Sequence, residues 1–269
     1  MENTKNASLK IMYLNPVGFS SLDQVFADMA KEYKEEGTEV HITSLNPSVG
    51  QMNNLEYRTF ESFIHLDTLK AVRQASLEGF DAIIIGCFYD PVIEDAREIA
   101  GDMVVLGPCE ASCQVAVRIA NNFSVLIGRR KWYNQMNETI KRYGYGEKIA
   151  SFRELSMTVP EFVANPSCTK EEIIKQAKIA VEEDKAECII LGCTCEIGHY
   201  KEVQEIIGVP VIDPSIAALK TAESAAGLKK ISGWGTSKKW GLEPPSEEDL
   251  KAFGILQDPY VFGNRIIVN

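Results

Sequence analysis

The chain has 269 residues, of which 45% are hydrophobic and 25% are charged, a composition typical of globular proteins with a substantial core. Its net charge of −10 argues against nucleic acid as a partner, because binding to phosphates needs a basic surface. The sequence contains no apolar run of the roughly 18 residues that a membrane span needs, and its first five residues are polar. We therefore expect a cytoplasmic protein that neither crosses a membrane nor carries a signal peptide. Seven cysteines in such a chain predict free thiols and no disulfide framework.

Strand-like and helix-like segments alternate along the chain, which predicts an α/β fold with mostly parallel sheets. The helix at 169–184 is expected to begin at Thr169 as its cap, and the helix at 215–226 is expected to end at Gly227. The tail, residues 233–269, could wrap the body of the protein or reach a neighbouring subunit. The predicted segments, in chain order, are strand 8–14, helix 22–35, strand 39–43, helix 66–78, strand 81–85, strands 123–127 and 148–152, helix 169–184, strand 188–191, helix 202–207, strand 209–212, helix 215–226 and a short helix near 247–253.

Two of the apolar strands end in the same dipeptide. Residues 81–85 lead into Gly86-Cys87, and residues 188–191 lead into Gly192-Cys193, 106 residues later. Such continuous apolar runs are typical of strands buried on both faces of a parallel sheet. Because ligands of open α/β sheets bind beyond the carboxyl ends of the strands, the repeat predicts two similar lobes, each presenting one thiol at a ligand site.

The remaining cysteines have simpler interpretations. A free cysteine is often a small buried hydrophobe, and Cys188 lies inside a strand, where we expect it in the core. The spacings of Cys109 to Cys113 and of Cys193 to Cys195 are only a weak indication of a zinc site, because neither pair is followed by a matched second pair. We therefore predict no metal and keep Cys87 and Cys193 as the candidate reactive thiols.

Five motifs, in this order along the chain, resemble the aspartate/glutamate/hydantoin racemase superfamily, and within it the hydantoin and allantoin racemase branch. The similarity runs from about residue 8 to residue 227. The motifs are LNP at 14–16, GCFYDP at 86–91, GPCEAS at 107–112, LGC at 191–193 and GVPVIDP at 208–214.

The resemblance implies two pseudo-symmetric α/β lobes with the active site in the cleft between them. We assign 1–108 with 213–269 to the first lobe and 109–212 to the second. It also implies a cofactor-independent racemase or epimerase in which Cys87 and Cys193 are the two acid/base residues, acting on a hydantoin-like or amino-acid-like small molecule. The family further implies a homo-oligomer. An isomerase or decarboxylase of the same superfamily is an alternative, as is a non-catalytic ligand-binding or thiol-sensing protein.

The resemblance also suggests residues that bind substrate, each of which has a structural alternative. Asn15 could bind a substrate oxygen or nitrogen, or could be a turn residue before proline. Arg129 could hold a substrate carboxylate, or lie in a solvated loop. Glu110 and Ser112 could line the site, or cap a helix. The residues beside the two cysteines, Phe88, Tyr89 and Thr194, complete the predicted binding set. Thr194 departs from the hydantoin branch and is similar to the amino-acid racemases.

Overall fold

The computed structural model of the protein describes residues 8–255 and 259–269. The polar N-terminal residues considered above lie outside the described residues, as do residues 256–258 of the tail. The elements, in chain order, are β1 (Leu9–Asn15), α1 (Asp23–Tyr33), β2 (Thr38–Ser44), α2 (Arg58–Leu77), β3 (Ala82–Ile85), α3 (Ile93–Ile99), β4 (Val104–Leu106), α4 (Pro108–Ile119), β5 (Phe123–Ile127), α5 (Tyr133–Arg142), β6 (Ile149–Glu154), α6 (Val159–Ala164), α7 (Pro166–Glu182), β7 (Ile189–Leu191), α8 (Tyr200–Ile207), β8 (Val211–Ile212), α9 (Pro214–Ser232), α10 (Glu247–Ala252) and β9 (Asn264–Val268).

The strands form two sheets that share one strand order. The first sheet reads β4-β3-β1-β2-β9 and the second reads β6-β5-β7-β8. Read from β2 toward β4, the first four strands of the chain lie in the order β2-β1-β3-β4. The second sheet, β6-β5-β7-β8, has the same order when its strands are numbered along the chain. These strands pair in parallel, and β9 alone among the paired strands described runs antiparallel to its neighbour, β2. The predicted α/β fold with mostly parallel sheets is confirmed.

The strands that precede the two Gly-Cys dipeptides occupy the same place in their sheets. Counted along the chain, β3 is the third strand of the first sheet and β7 is the third strand of the second. Every residue of both strands is buried, because a central parallel strand is covered by helices on both faces and must be apolar throughout. The repeat recognised in the sequence therefore extends to the topology.

The chain separates into two compact units. One contains residues 1–86, 91–106 and 219–269, and the other contains residues 87–90 and 107–218. The short segment 87–90 follows a strand of the first unit but packs within the second. The lobe boundaries inferred from the family resemblance stay a prediction.

The two helix ends predicted from capping residues are wrong. Helix α7 begins at Pro166 with Asn165 at its N-cap, because proline is well suited to the first helical position; Thr169 lies one turn inside and donates its hydroxyl to the carbonyl oxygen of Asn165. Helix α9 continues past Gly227 to Ser232. A glycine in a helix costs only about 1 kcal/mol.

The tail returns to the first sheet of its own chain. Strand β9 extends that sheet along β2, and Arg265 forms two hydrogen bonds with the carboxylate of Glu78, the longer at 3.1 Å. Asn264 donates to the buried carboxylate of Asp23 over 3.1 Å. Of the two alternatives for the tail, wrapping of the body is confirmed for these residues.

Candidate functional site

The glycine before each cysteine is required by the neighbouring strand. The Gly86 N–H donates to the carbonyl oxygen of Leu14 over 2.8 Å, and the Gly192 N–H donates to that of Leu126 over 2.8 Å. A Cβ at residue 192 would lie 2.2 Å from the Leu126 oxygen, and one at residue 86 would lie 2.9 Å from the Leu14 oxygen. Only glycine allows so close an approach between backbones, so both strands end at an equivalent, sterically restricted point.

The two candidate thiols differ from most other cysteines in exposure. Cys87 and Cys193 are half-buried, as is Cys195. Cys188 is buried, as predicted, and burial raises the pKa of its thiol to about 12. The other buried cysteines are Cys109 and Cys113, and Cys168 is exposed.

Each candidate cysteine opens a tight turn that ends in a buried acid. The Asp90 N–H donates to the Cys87 carbonyl oxygen over 2.9 Å, and the Glu196 N–H donates to the Cys193 carbonyl oxygen over 3.1 Å. Asp90 and Glu196 thus stand three residues after their cysteines, and both side chains are buried. Buried carboxyl groups are rare and are normally held by hydrogen bonds, so both acids need an explanation.

Asp90 joins the Cys87 turn to the start of helix α4. Its carboxylate accepts hydrogen bonds from the backbone N–H groups of Cys109 at 3.0 Å and Glu110 at 2.9 Å, and from the hydroxyl of Tyr143 at 3.0 Å. The two backbone donors are N–H groups that a helix leaves unpaired at its N-terminus. Burial outweighs these three donors and raises the pKa of Asp90 to about 7. Asp90 also has a φ of 51°, a left-handed conformation that is uncommon outside glycine.

Glu196 holds the Cys193 turn locally. The Cys193 N–H donates to the Glu196 carboxylate over 2.9 Å, and the Cys193 sulfur accepts the N–H of Cys195 at 3.4 Å. The arrangement is a capping box in which a sulfur replaces the usual hydroxyl. Hydrogen bonding to the Cys195 thiol, together with burial, raises the pKa of Cys193 well above its usual value, while burial raises the pKa of Glu196.

The predicted binding residues next to the cysteines are mostly buried. Phe88 is 2% exposed, Tyr89 is 7% exposed and Thr194 is 5% exposed. Asn15, at the end of β1, donates its amide to the Asp23 carboxylate over 2.9 Å and lies in the first unit. Arg129 is half-buried at the start of a 3₁₀ turn after β5. Cys87 and Cys193, with every binding candidate except Asn15, belong to the second unit.

Glu110 and Ser112 do not form the cap of helix α4. The N-cap is Gly107, and both residues lie within the helix; the capping carboxylate comes instead from Asp90. The Ser112 side chain is fully buried, and its hydroxyl has no hydrogen-bond partner among the described residues. Glu110 is half-buried in the first turn, where a negative charge is favoured by the helix dipole.

The sequence patterns do not identify Asp90, Glu196 and Tyr143 as residues of the candidate site. The shared spacing of an acid three residues after each Gly-Cys was the signal that could have found the first two. Asp213 precedes Pro214, and its carboxylate accepts the Ser215 N–H at 2.9 Å at the beginning of α9. Across the described residues, no three His, Cys, Asp or Glu side chains group as metal ligands.

The structure is that of an α/β protein with two sheets whose parallel strands share one order. In each sheet the third strand along the chain leads into a half-buried cysteine. The model of the Asp/Glu/Hydantoin racemase family matches residues 21–222. A hydantoin racemase from Paenarthrobacter aurescens is 31% identical over 241 residues, covering 89% of this chain and 99% of that protein.

Solved structures with this fold include two allantoin racemases. The one from Klebsiella pneumoniae has a TM-score of 0.80 and 25% identity, covering 89% of this chain and 95% of its own. The one from Pseudomonas fluorescens has a TM-score of 0.78 and 27% identity, covering 88% of this chain and 97% of its own. The chain belongs to the Asp/Glu/Hydantoin racemase family, and it is an isomerase, a racemase, that acts on a small molecule. The resemblance and the enzyme class predicted from the sequence are confirmed. No helix within the described residues is long and apolar enough to cross a membrane.

Proposed function

We propose that the protein racemises a hydantoin-like substrate by cofactor-independent proton transfer, with Cys87 and Cys193 as the two bases. The observation that carries the proposal is the repeated strand end: two half-buried cysteines, each after a glycine at the end of the third strand of its sheet. A racemase needs one group for each face of the stereocentre, and the repeat supplies two chemically equal groups.

The proposed step balances without a cofactor. One cysteine, as thiolate, takes the proton from the stereogenic carbon, so that a C–H bond breaks and an S–H bond forms while the electron pair moves into the adjacent carbonyl. The other cysteine, as thiol, returns its proton to the opposite face and becomes the thiolate. The next turnover runs in the reverse sense. General acid/base transfer of this kind contributes about 10²–10⁴-fold in rate.

The environment of Cys193 supports a role as the initial acid. Its pKa is raised by the Cys195 thiol and by burial, so the sulfur keeps its proton at neutral pH. The N–H of Cys195, which points at that sulfur over 3.4 Å, stabilises the thiolate that forms once the proton has been given up. Two interacting sulfurs titrate as a pair, and their apparent pKa values belong to both.

The names of the relatives support the choice of substrate. Proteins called hydantoin racemase and allantoin racemase are similar to this chain over most of its length, and allantoin itself contains a hydantoin ring. The ring carbon between a carbonyl and a nitrogen is acidified by the carbonyl, and its carbanion is delocalised as an enolate. An amino-acid-like substrate, indicated by Thr194 after the second cysteine, is the alternative to be tested beside it.

The decisive experiment is solvent-deuterium exchange followed by NMR. Single enantiomers of 5-substituted hydantoins, allantoin and acidic and neutral amino acids are incubated with the enzyme in D₂O. We expect deuterium at the stereocentre together with loss of optical rotation for a hydantoin, and no release of CO₂. Release of CO₂ would identify a decarboxylase, and binding without exchange would identify a ligand-binding protein; either result rejects the proposal.

Cysteine variants test the assignment of the two bases. C87S and C193S should each lower the racemisation rate by about 10²–10⁴-fold, while C168S, which changes an exposed cysteine of helix α7, should keep the wild-type rate. Exchange of one enantiomer's proton can survive in each active-site variant, because one base remains. Full racemisation by either C87S or C193S would refute the two-base assignment.

We further propose that the enzyme works in the cytoplasm as a homo-oligomer. Acid/base chemistry requires reduced thiols, and no disulfide joins the seven cysteines, all of which lie within the described residues, as expected for a reducing compartment. Light scattering at micromolar concentration tests the assembly; a monomeric mass would contradict it.

A further inference from the structure

We infer that Glu196 is a positioning residue that holds Cys193 in its reactive orientation, an inference that rests on the proposed function of Cys193. The carboxylate accepts the N–H of Cys193 itself at 2.9 Å, and the Glu196 N–H closes the turn on the Cys193 carbonyl oxygen at 3.1 Å. The two residues therefore bind each other in both directions.

These contacts determine where the sulfur lies. Cys193 has an extended backbone, with φ −145° and ψ 137°, directly after the restricted glycine at the end of β7. The hydrogen bond to Glu196 fixes the peptide plane before the Cys193 Cα, and the Cys195 N–H fixes the sulfur over 3.4 Å. Proton transfer is sensitive to such geometry, since a misplacement of about 1 Å can cost on the order of 10²-fold in rate.

The way in which Glu196 is buried indicates more than a stabilising role. The residue is fully buried, and its Oε1 has no hydrogen-bond partner among the described residues. Burial of an unpaired polar atom costs free energy, so stability alone does not explain the carboxyl group. What the carboxyl group does at this position is accept the Cys193 N–H and hold the turn.

Charge and reach can be separated by three variants. E196Q keeps an oxygen at the same distance from the backbone but cannot ionise. E196D keeps an ionisable carboxyl group but shortens the side chain by one methylene, which withdraws the acceptor from the Cys193 N–H. E196A removes both, and E205A, at an exposed glutamate of helix α8, is the matched control.

Two measurements are made on each variant. The first is the rate of Cys193 alkylation by iodoacetamide as a function of pH, with the modified cysteine located by tandem mass spectrometry. The second is kcat and KM for racemisation of the hydantoin identified by deuterium exchange. Alkylation needs no substrate, so it tests the positioning of Cys193 even where the proposed racemisation fails.

We expect E196Q and E205A to keep the wild-type kcat and alkylation profile within about threefold. E196D and E196A should lose on the order of 10²-fold in kcat with KM little changed, and their alkylation profiles should shift. Wild-type kinetics and alkylation in E196A overturn the inference, as does an active E196D beside an inactive E196Q, since that order means that charge matters and reach does not. If E196A and E196D do not fold, a loss of kcat or of the alkylation profile in folded E196Q still overturns it.

Discussion

Replacing Asp90 by alanine should destabilise the second unit, because three buried donors lose one acceptor. The donors are the N–H groups of Cys109 and Glu110 and the hydroxyl of Tyr143, at 3.0, 2.9 and 3.0 Å. Each orphaned donor costs about 1–3 kcal/mol. Water that enters the space left by the carboxyl group recovers part of this, so we take the lower end for each donor and expect a loss of about 3 kcal/mol.

Urea unfolding followed by tryptophan fluorescence measures this loss. Trp132, in the second unit, is 2% exposed, whereas Trp234 and Trp240 are 73% and 79% exposed, so the change in emission reports mainly on Trp132. The midpoint should fall in D90A with the slope unchanged. Y143F, which removes one of the three donors together with its bond, should lose only about 1 kcal/mol.

The control is D28A, since Asp28 is an exposed aspartate on helix α1, and it should stay within about 0.5 kcal/mol of the wild type. If D90A is as stable as D28A, the hydrogen bonds seen at Asp90 contribute nothing to stability, and the reasoning is refuted.

Three further predictions concern pH and backbone packing. Burial raises the pKa of Asp90 from 3.8 to about 7, so the folded state keeps a proton that the unfolded state has lost; the stability of the wild type relative to D90N should therefore fall between pH 4 and pH 7, by at most about 4 kcal/mol. If urea unfolding instead shows the stability of the wild type rising relative to D90N over this pH range, the donors hold the carboxylate ionised. G192A should destabilise by several kcal/mol in the same assay, roughly as overpacking does, because its Cβ would lie 2.2 Å from the Leu126 carbonyl oxygen; wild-type stability would show that the strand end can relax. G227A should raise the melting temperature, since a Cβ there meets nothing within 4 Å and alanine is favoured in a helix by about 1 kcal/mol; a lower melting temperature would contradict the helical assignment of that turn.

The strands were the most predictable part of the fold. The predicted strand at 123–127 coincides with β5, and the predicted strand at 81–85 differs from β3 by one residue. Such strands are buried on both faces and must be apolar along their whole length, so their position is written locally in the sequence.

Elements with weaker local patterns were missed or shortened. Strand β4 has only three residues, too few for a periodic pattern. Helix α2 begins at Arg58, eight residues before the predicted start. The prediction missed its first turns because they are mostly exposed and polar, and the buried apolar residues begin only at Ile64. An exposed, polar stretch of helix lacks the hydrophobic periodicity by which a helix is predicted from sequence.

The sequence alone determined the α/β class and the two repeated Gly-Cys strand ends, and it predicted Cys87 and Cys193 as the reactive pair, because strand burial and the glycine before each thiol are local requirements. Only the tertiary structure decided that Asp90 caps a helix starting 18 residues later and that the tail adds strand β9 to the first sheet. It also decided that Glu196 is buried against its own cysteine. Contacts of these kinds depend on which surfaces pack together and on the burial that results, and a polar residue in a loop carries no local pattern that reveals its partner.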